Sequence, residues 1–159
     1  MDDPKKRLLI ADLEAQFIII RDIDKKIKQR ADSLNPEDEI LLESIAYQIH
    51  NIYGASEELL QIVAKYFENN ISDASQWHHL LLKRMTVEVP DIRPAFLDSQ
   101  TYALLNSLRG FRHFFRHGYG TTIDYQQLQP NLEKALNLLP ELTTCFEKFS
   151  RQLQTRTER

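Results

Sequence analysis

Between positions 109 and 117 the chain sets Arg109, Arg112 and Arg116 at three- and four-residue steps and adds His113 and His117. Arginine keeps its charge and offers a planar fork that fits two phosphate oxygens. Histidine titrates near neutrality and serves as base or acid. RNA carries its own nucleophile, the 2′-hydroxyl. Its cleavage therefore asks only for a group to take that proton, a donor for the leaving 5′-oxygen, and positive charge on the phosphorane oxygens. Arginine and histidine supply all three without a metal. His113 and His117 stand four apart, a spacing at which helical histidines share zinc, but Phe114 stands where a zincin helix has its glutamate. The expectation is no metal and no cofactor, with His113 contacting RNA or supporting the site.

On an ideal helix, at about 100° per residue, Leu104, Leu108, Phe111, Phe114 and Phe115 fall within an arc of about 120° opposite Arg109. Arg112, His113 and Arg116 lie within about 60° of Arg109. One face reads as core and the other, with Arg109, Arg112, His113 and Arg116, as a basic stripe suited to a polyanion or to the acids of a partner. Crowded arginines repel one another, and a merely solvated helix would interleave acids at four-residue spacing. The plainer reading is that their stems cover the helix while their tips stay wet. Arg112 and His117 themselves point about 140° apart, so one helix does not easily close both on one phosphate. Either the helix ends near Gly118 and turns His117 back, or a second copy completes the site across a two-fold interface.

The segment Leu108-Arg109-Gly110-Phe111-Arg112-His113-Phe114-Phe115-Arg116-His117-Gly118-Tyr119 resembles the signature of HEPN-superfamily ribonucleases. Within them it is similar to HepT-like toxins, whose pattern is an arginine, four to six residues, a histidine, and a tyrosine two further on. Here those positions are Arg112, His117 and Tyr119. Trp77-His78, Leu81-Leu82, Met85, Val89-Pro90 and Ile92-Arg93-Pro94-Ala95 extend the resemblance over most of the chain. It implies an antiparallel helical bundle that dimerises, with Arg112 and His117 as catalytic residues of two motifs lining one cleft. It further implies a partner, a nucleotidyltransferase antitoxin, that adenylylates Tyr119 and so blocks RNA by charge and volume.

The elements that must position these residues are helices. Asp3-Pro4 is a cap-then-proline start, and Leu9, Leu13, Phe17, Ile20, Ile23 and Ile27 carry a one-sided stripe to about Ala31. Asn35-Pro36-Glu37-Asp38-Glu39 repeats the start signal, and Leu41, Ile45, Ile49, Ile52, Leu59, Val63 and Phe67 carry a second helix that Gly54 can bend and Asn69-Asn70 stop. Ser75 or Asp73 caps a shorter helix with Trp77, Leu80, Leu81, Leu82 and Met85, and the prolines of 89–94 impose a loop. Asp98 caps the fourth helix, which reaches Arg116 to Gly118. The last spans Tyr125 to Leu153, with Leu128, Leu132, Leu136, Leu139, Leu142, Phe146 and Phe149 inward and Pro140 expected to kink or split it. The fold class is all-α, an antiparallel bundle of about five helices.

The remaining candidates read as structural. Trp77 is a core anchor, His50 sits among apolar neighbours, and one of His78 and His79 packs near Trp77. Cys145 is a small core residue, and Glu37, Asp38, Glu39 and Glu43 are helix-start charges. Ile18, Ile19 and Leu105 are the apolar positions expected at a dimer interface. With 159 residues, 42% apolar, the chain reads as one domain over 1–159 with a frayed tail at 155–159. Four glycines argue against phosphate loops of the Rossmann or P-loop kind, and one cysteine excludes an internal disulfide framework and fits a cytoplasmic protein. The charged start lacks the apolar run of a signal peptide, and the longest purely apolar stretch, Phe17 to Ile20, predicts no membrane span. The competing function class is a non-catalytic helical module that holds RNA or an acidic partner with the same arginines.

Overall fold

The structure, a computed structural model, describes residues 1–68, 77–117 and 122–156, with side chains at all of these except 77, 116 and 117. Five helices account for nearly all of them: α1 (Asp3–Asp32), α2 (Glu39–Phe67), α3 (Trp77–Arg84), α4 (Ser99–His117) and α5 (Tyr125–Thr155). Among the described residues the only β pairing is an isolated bridge between Val89 and Arg93. The fold is an all-α bundle, and no described helix is long and apolar enough to cross a membrane.

The starts of α1, α2, α4 and α5 are each set by an aspartate, Asp124 in the case of α5, whose side chain accepts from a first-turn N–H that has no helical partner. Asp2 holds Lys5, one residue earlier than the sequence suggested. At α2 the cap is Asp38, which takes the Leu41 N–H. Asn35 instead accepts from Glu37 inside a preceding turn, so Pro36 belongs to the turn and not to the helix. Asp98 accepts from Thr101 at 2.7 Å and opens α4, as its sequence indicates. The proposed stop at Asn69-Asn70 and the caps Ser75 or Asp73 lie outside the described residues, although α2 itself already ends at Phe67.

Gln16 of α1 donates to the Ala55 carbonyl of α2, and Arg30 donates to Ser44, so residue numbers run in opposite senses and the pair is antiparallel. Helices α4 and α5 are antiparallel for the same reason, through Ser107 with Lys134 and Thr101 with Cys145. Helix α2 is central and touches all four others, which is why its buried residues are not confined to one stripe. Gly54 does not interrupt it.

Helix α5 crosses Pro130 and Pro140 as a single element, so of the kink or split expected at Pro140 the split does not occur. A proline removes one helical hydrogen bond. Leu132, Ala135 and Leu138 before it and Leu142, Cys145 and Phe149 after it all bury on the bundle, and that shared burial keeps the helix continuous. Leu136, Leu139 and Phe146 are only partly buried, with Phe146 resting on Phe17 of α1 at 5.0 Å between ring centroids. Arg156, just beyond α5, pairs with Glu88.

The connection from α3 to α4 is a compact loop built around an arginine. Arg93 is 0% exposed and donates to Glu68 and to the carbonyls of Arg84, Val87 and Pro94. Glu68, at the end of α2, also holds Arg84. A buried arginine needs this full set of acceptors because an unpaired charge in the interior is costly. The loop thereby ties the end of α2 to the segment that launches α4.

Candidate functional site

Helix α4 carries the basic residues, but it is turned differently from the sequence reading. Leu105 and Thr101 are fully buried, and both fall within about 20° of Arg112 on an ideal helix. Arg112 therefore lies toward the core and against α2, while Ala103, Gly110 and His113 form the exposed side. The apolar arc and the arginines are neighbours and not opposites, because α4 packs on α2, α3 and α5 together and must bury a wider sector. Leu105 sits in the core and is unavailable to a dimer interface, whereas Ile18 and Ile19 are 58% and 48% exposed.

The Arg112 guanidinium carbon lies 6.0 Å from the centre of the Tyr53 ring, a cation–π contact with a buried aromatic on α2. Arg109, one turn earlier, donates through Nε and Nη2 to Asn106 Oδ1 at 3.3 and 3.0 Å. Both guanidinium groups are half-buried, and neither forms an ion pair among the described residues. His50, four residues before Gly54 on α2, lies against Phe115 of α4 with the two rings tilted and their centroids 5.4 Å apart.

Beneath the arginines lies a polar floor that sequence reasoning passed over. Tyr53 is fully buried and Glu57, one turn on, nearly so. Burial drives the Tyr53 phenol far above its ordinary range, the adjacent Glu57 carboxylate raises it further, and the charges of Arg112 and Arg109 pull only partly the other way. Neither Tyr53 Oη nor Glu57 Oε2 has a fully formed hydrogen bond. The other carboxylate oxygen, Glu57 Oε1, lies 2.7 Å from His78 Nδ1 on α3. The signal available in the sequence was the line His50, Tyr53, Glu57, a set of polar or titratable types at three- and four-residue steps inside an apolar helix.

His113 is exposed on the outer side of α4, and His117 is its last residue, so the helix does not turn back before it. The side chains of Arg116 and His117, and all of Tyr119, lie outside the described residues, as does the Trp77 side chain. Among the described residues no three His, Cys, Asp or Glu side chains gather as a metal would require.

Residues 44–153 match a family described as HepT-like protein. This chain belongs to the HepT-like proteins of the HEPN superfamily. The match runs from the first turns of α2 almost to the end of α5, so the HepT-like region holds the whole constellation of Tyr53, Glu57, His78, Arg109 and Arg112 together with the motif positions 112–119. No curated protein and no solved structure matches the chain. Helix α1 lies outside the matched span and joins the HepT-like core by packing on α2 and α5.

Proposed function

We propose that this HepT-like protein is a metal-independent endoribonuclease toxin of a toxin–antitoxin pair. Arg112 and His117 are its catalytic residues, and Arg109, His113 and Arg116 hold the RNA backbone. The observation that carries this reading is the Arg112 guanidinium, half-buried over Tyr53 and without an ion-pair partner among the described residues. A cation held in place away from bulk water stabilises charge that develops on a phosphorane, and needs no reorganisation during the reaction. Arg109 stands one turn away and extends the same field.

His117 supplies proton transfer. Five residues apart on an ideal helix, Arg112 and His117 of one chain point about 140° from each other. Two copies related by a two-fold axis solve this by setting the arginine of one beside the histidine of the other. The cleft of the homodimer is then the active site. Control comes from a nucleotidyltransferase antitoxin that adenylylates Tyr119, placing negative charge beside the RNA path.

Arg112→Ala and His117→Ala purified free of modification are expected to lose about 10²–10⁴ in RNA cleavage while keeping their circular dichroism. Cleavage by the wild type persists in chelator. Either variant cutting at the wild-type rate overturns the assignment, and a wild type that binds RNA without shortening it identifies a binding module.

A further inference from the structure

We propose that His78, held by Glu57, is the general acid of the same site, an inference that rests on the ribonuclease reading above. His117 accounts for one proton transfer, yet cleavage moves two protons: one leaves the 2′-hydroxyl and one reaches the 5′-oxygen. A second proton-transfer group is missing from the motif.

The polar floor beneath Arg112 supplies it. Glu57 sits on α2 one helical turn from Tyr53, whose ring carries the Arg112 guanidinium. Glu57 Oε1 lies 2.7 Å from Nδ1 of His78, the second residue of α3. Three helices thus converge on one patch: Tyr53 and Glu57 from α2, His78 from α3, Arg109 and Arg112 from α4. The His78 side chain is 37% exposed and the Glu57 side chain only 7%. The carboxylate orients the ring from inside, and the ring reaches the surface.

The Nδ1–H bond to a carboxylate fixes the tautomer and orientation of an imidazole, and Nε2 becomes the atom that exchanges a proton with substrate. A stability role alone accounts poorly for this floor. The nearly buried Glu57 carboxylate lies against the Tyr53 phenol, and a carboxylate withdrawn from water costs free energy and persists at sites where charge is used. Among the described residues, His78 is also the ion-pair partner of a carboxylate otherwise withdrawn from water.

In the step itself, the 2′-oxygen forms a bond to phosphorus while the bond from phosphorus to the 5′-oxygen breaks. His117 takes the 2′-hydroxyl proton. His78 gives the Nε2 proton to the departing 5′-oxygen, and Arg112 faces the equatorial oxygens. Two products leave, a 2′,3′-cyclic phosphate and a 5′-hydroxyl, and solvent restores both histidines. Glu57 is a positioning residue and His78 the catalytic one.

A pair of substrates tests this on the full-length dimer: an RNA, and the same RNA with sulfur as the bridging 5′-atom, which leaves as a thiolate and needs no proton. His78→Gln is expected to lower kcat on the RNA about 10²-fold with KM unchanged, and to cut the sulfur-bridged substrate within a few fold of wild type. Glu57→Gln, which keeps the side-chain shape, shows a smaller loss, roughly tenfold or more, also cancelled by the sulfur leaving group. It serves as the independent variant should His78→Gln fold poorly. Equal losses on both substrates, or wild-type cleavage of RNA by both variants, overturn the general-acid role while leaving the ribonuclease reading in place. A wild type inert on both substrates overturns the two together.

Discussion

Tyrosine is the residue type on which control is proposed to turn, and the tyrosines of this chain differ in what their hydroxyls can do. Tyr53 is sealed in the core, with burial holding its phenol protonated. Tyr66 donates its hydroxyl to Asp12 at 2.6 Å, and this hydrogen bond keeps its phenol above the ordinary range as well. Neither is a good nucleophile towards a nucleotide. Tyr119 stands between Gly118 and Gly120 in the sequence and is the tyrosine to which the proposed control is assigned. Co-expression with the antitoxin is expected to add the mass of one or more adenylate groups and to silence cleavage together. Tyr119→Phe should gain no mass and stay active. Intact-protein mass spectrometry checks this, and an adduct on the phenylalanine variant, or one mapped to Tyr102 or Tyr125, shows that another tyrosine is the target.

At the scale of the element, the helix that carries the motif depends on its start. Asp98 satisfies the Thr101 N–H, and although partial burial pushes its carboxyl up, the backbone and hydroxyl of Thr101, the Cys145 thiol and the Lys148 charge hold it below the ordinary carboxylate range. Asp98→Ala is therefore expected to cost about 1 kcal/mol near neutral pH. A lowered folded value means that this stabilisation is present above the unfolded carboxyl's value of about 3.9 and fades as pH falls through the folded one. Urea unfolding of wild type and Asp98→Ala should show the gap at pH 7 and its narrowing in acid. A gap that stays constant into strong acid shows that the carboxylate charge contributes nothing. The Cys145 thiol, raised chiefly by burial, is a packing partner for Thr101.

Assembly belongs to the whole molecule. Helix α1 presents Ile18 and Ile19 to solvent, and the proposed cleft needs two copies. Light scattering is expected to give about twice the chain mass of 18.7 kDa. Mixing Arg112→Ala with His117→Ala chains should restore part of the activity, because one of the two clefts in a mixed dimer then holds both intact residues. A monomer that cleaves RNA at full rate, or mixed chains as dead as each parent, counts against the composite site.

Much of the architecture was legible in the residues alone because helix signals are local. The apolar residues of α1 repeat at three- and four-residue steps, Asp98 stands where an N–H lacks a partner, and the pattern from Arg112 to Tyr119 lies within eight residues. Where two local signals competed, the tertiary structure chose between them. Asn35 and Asp38 can both cap, and Pro140 disfavours a helix whose buried face on both sides favours it. The rotation of α4 was not local at all, since it follows from packing against three helices at once, and this moved Arg112 inward and Leu105 into the core. Glu57 and His78 are 21 residues apart and meet only because α3 folds back onto α2. A sequence determines which faces want burial, while which polar groups meet at the seams depends on helix rotation and register, set by the sum of all the contacts in the bundle.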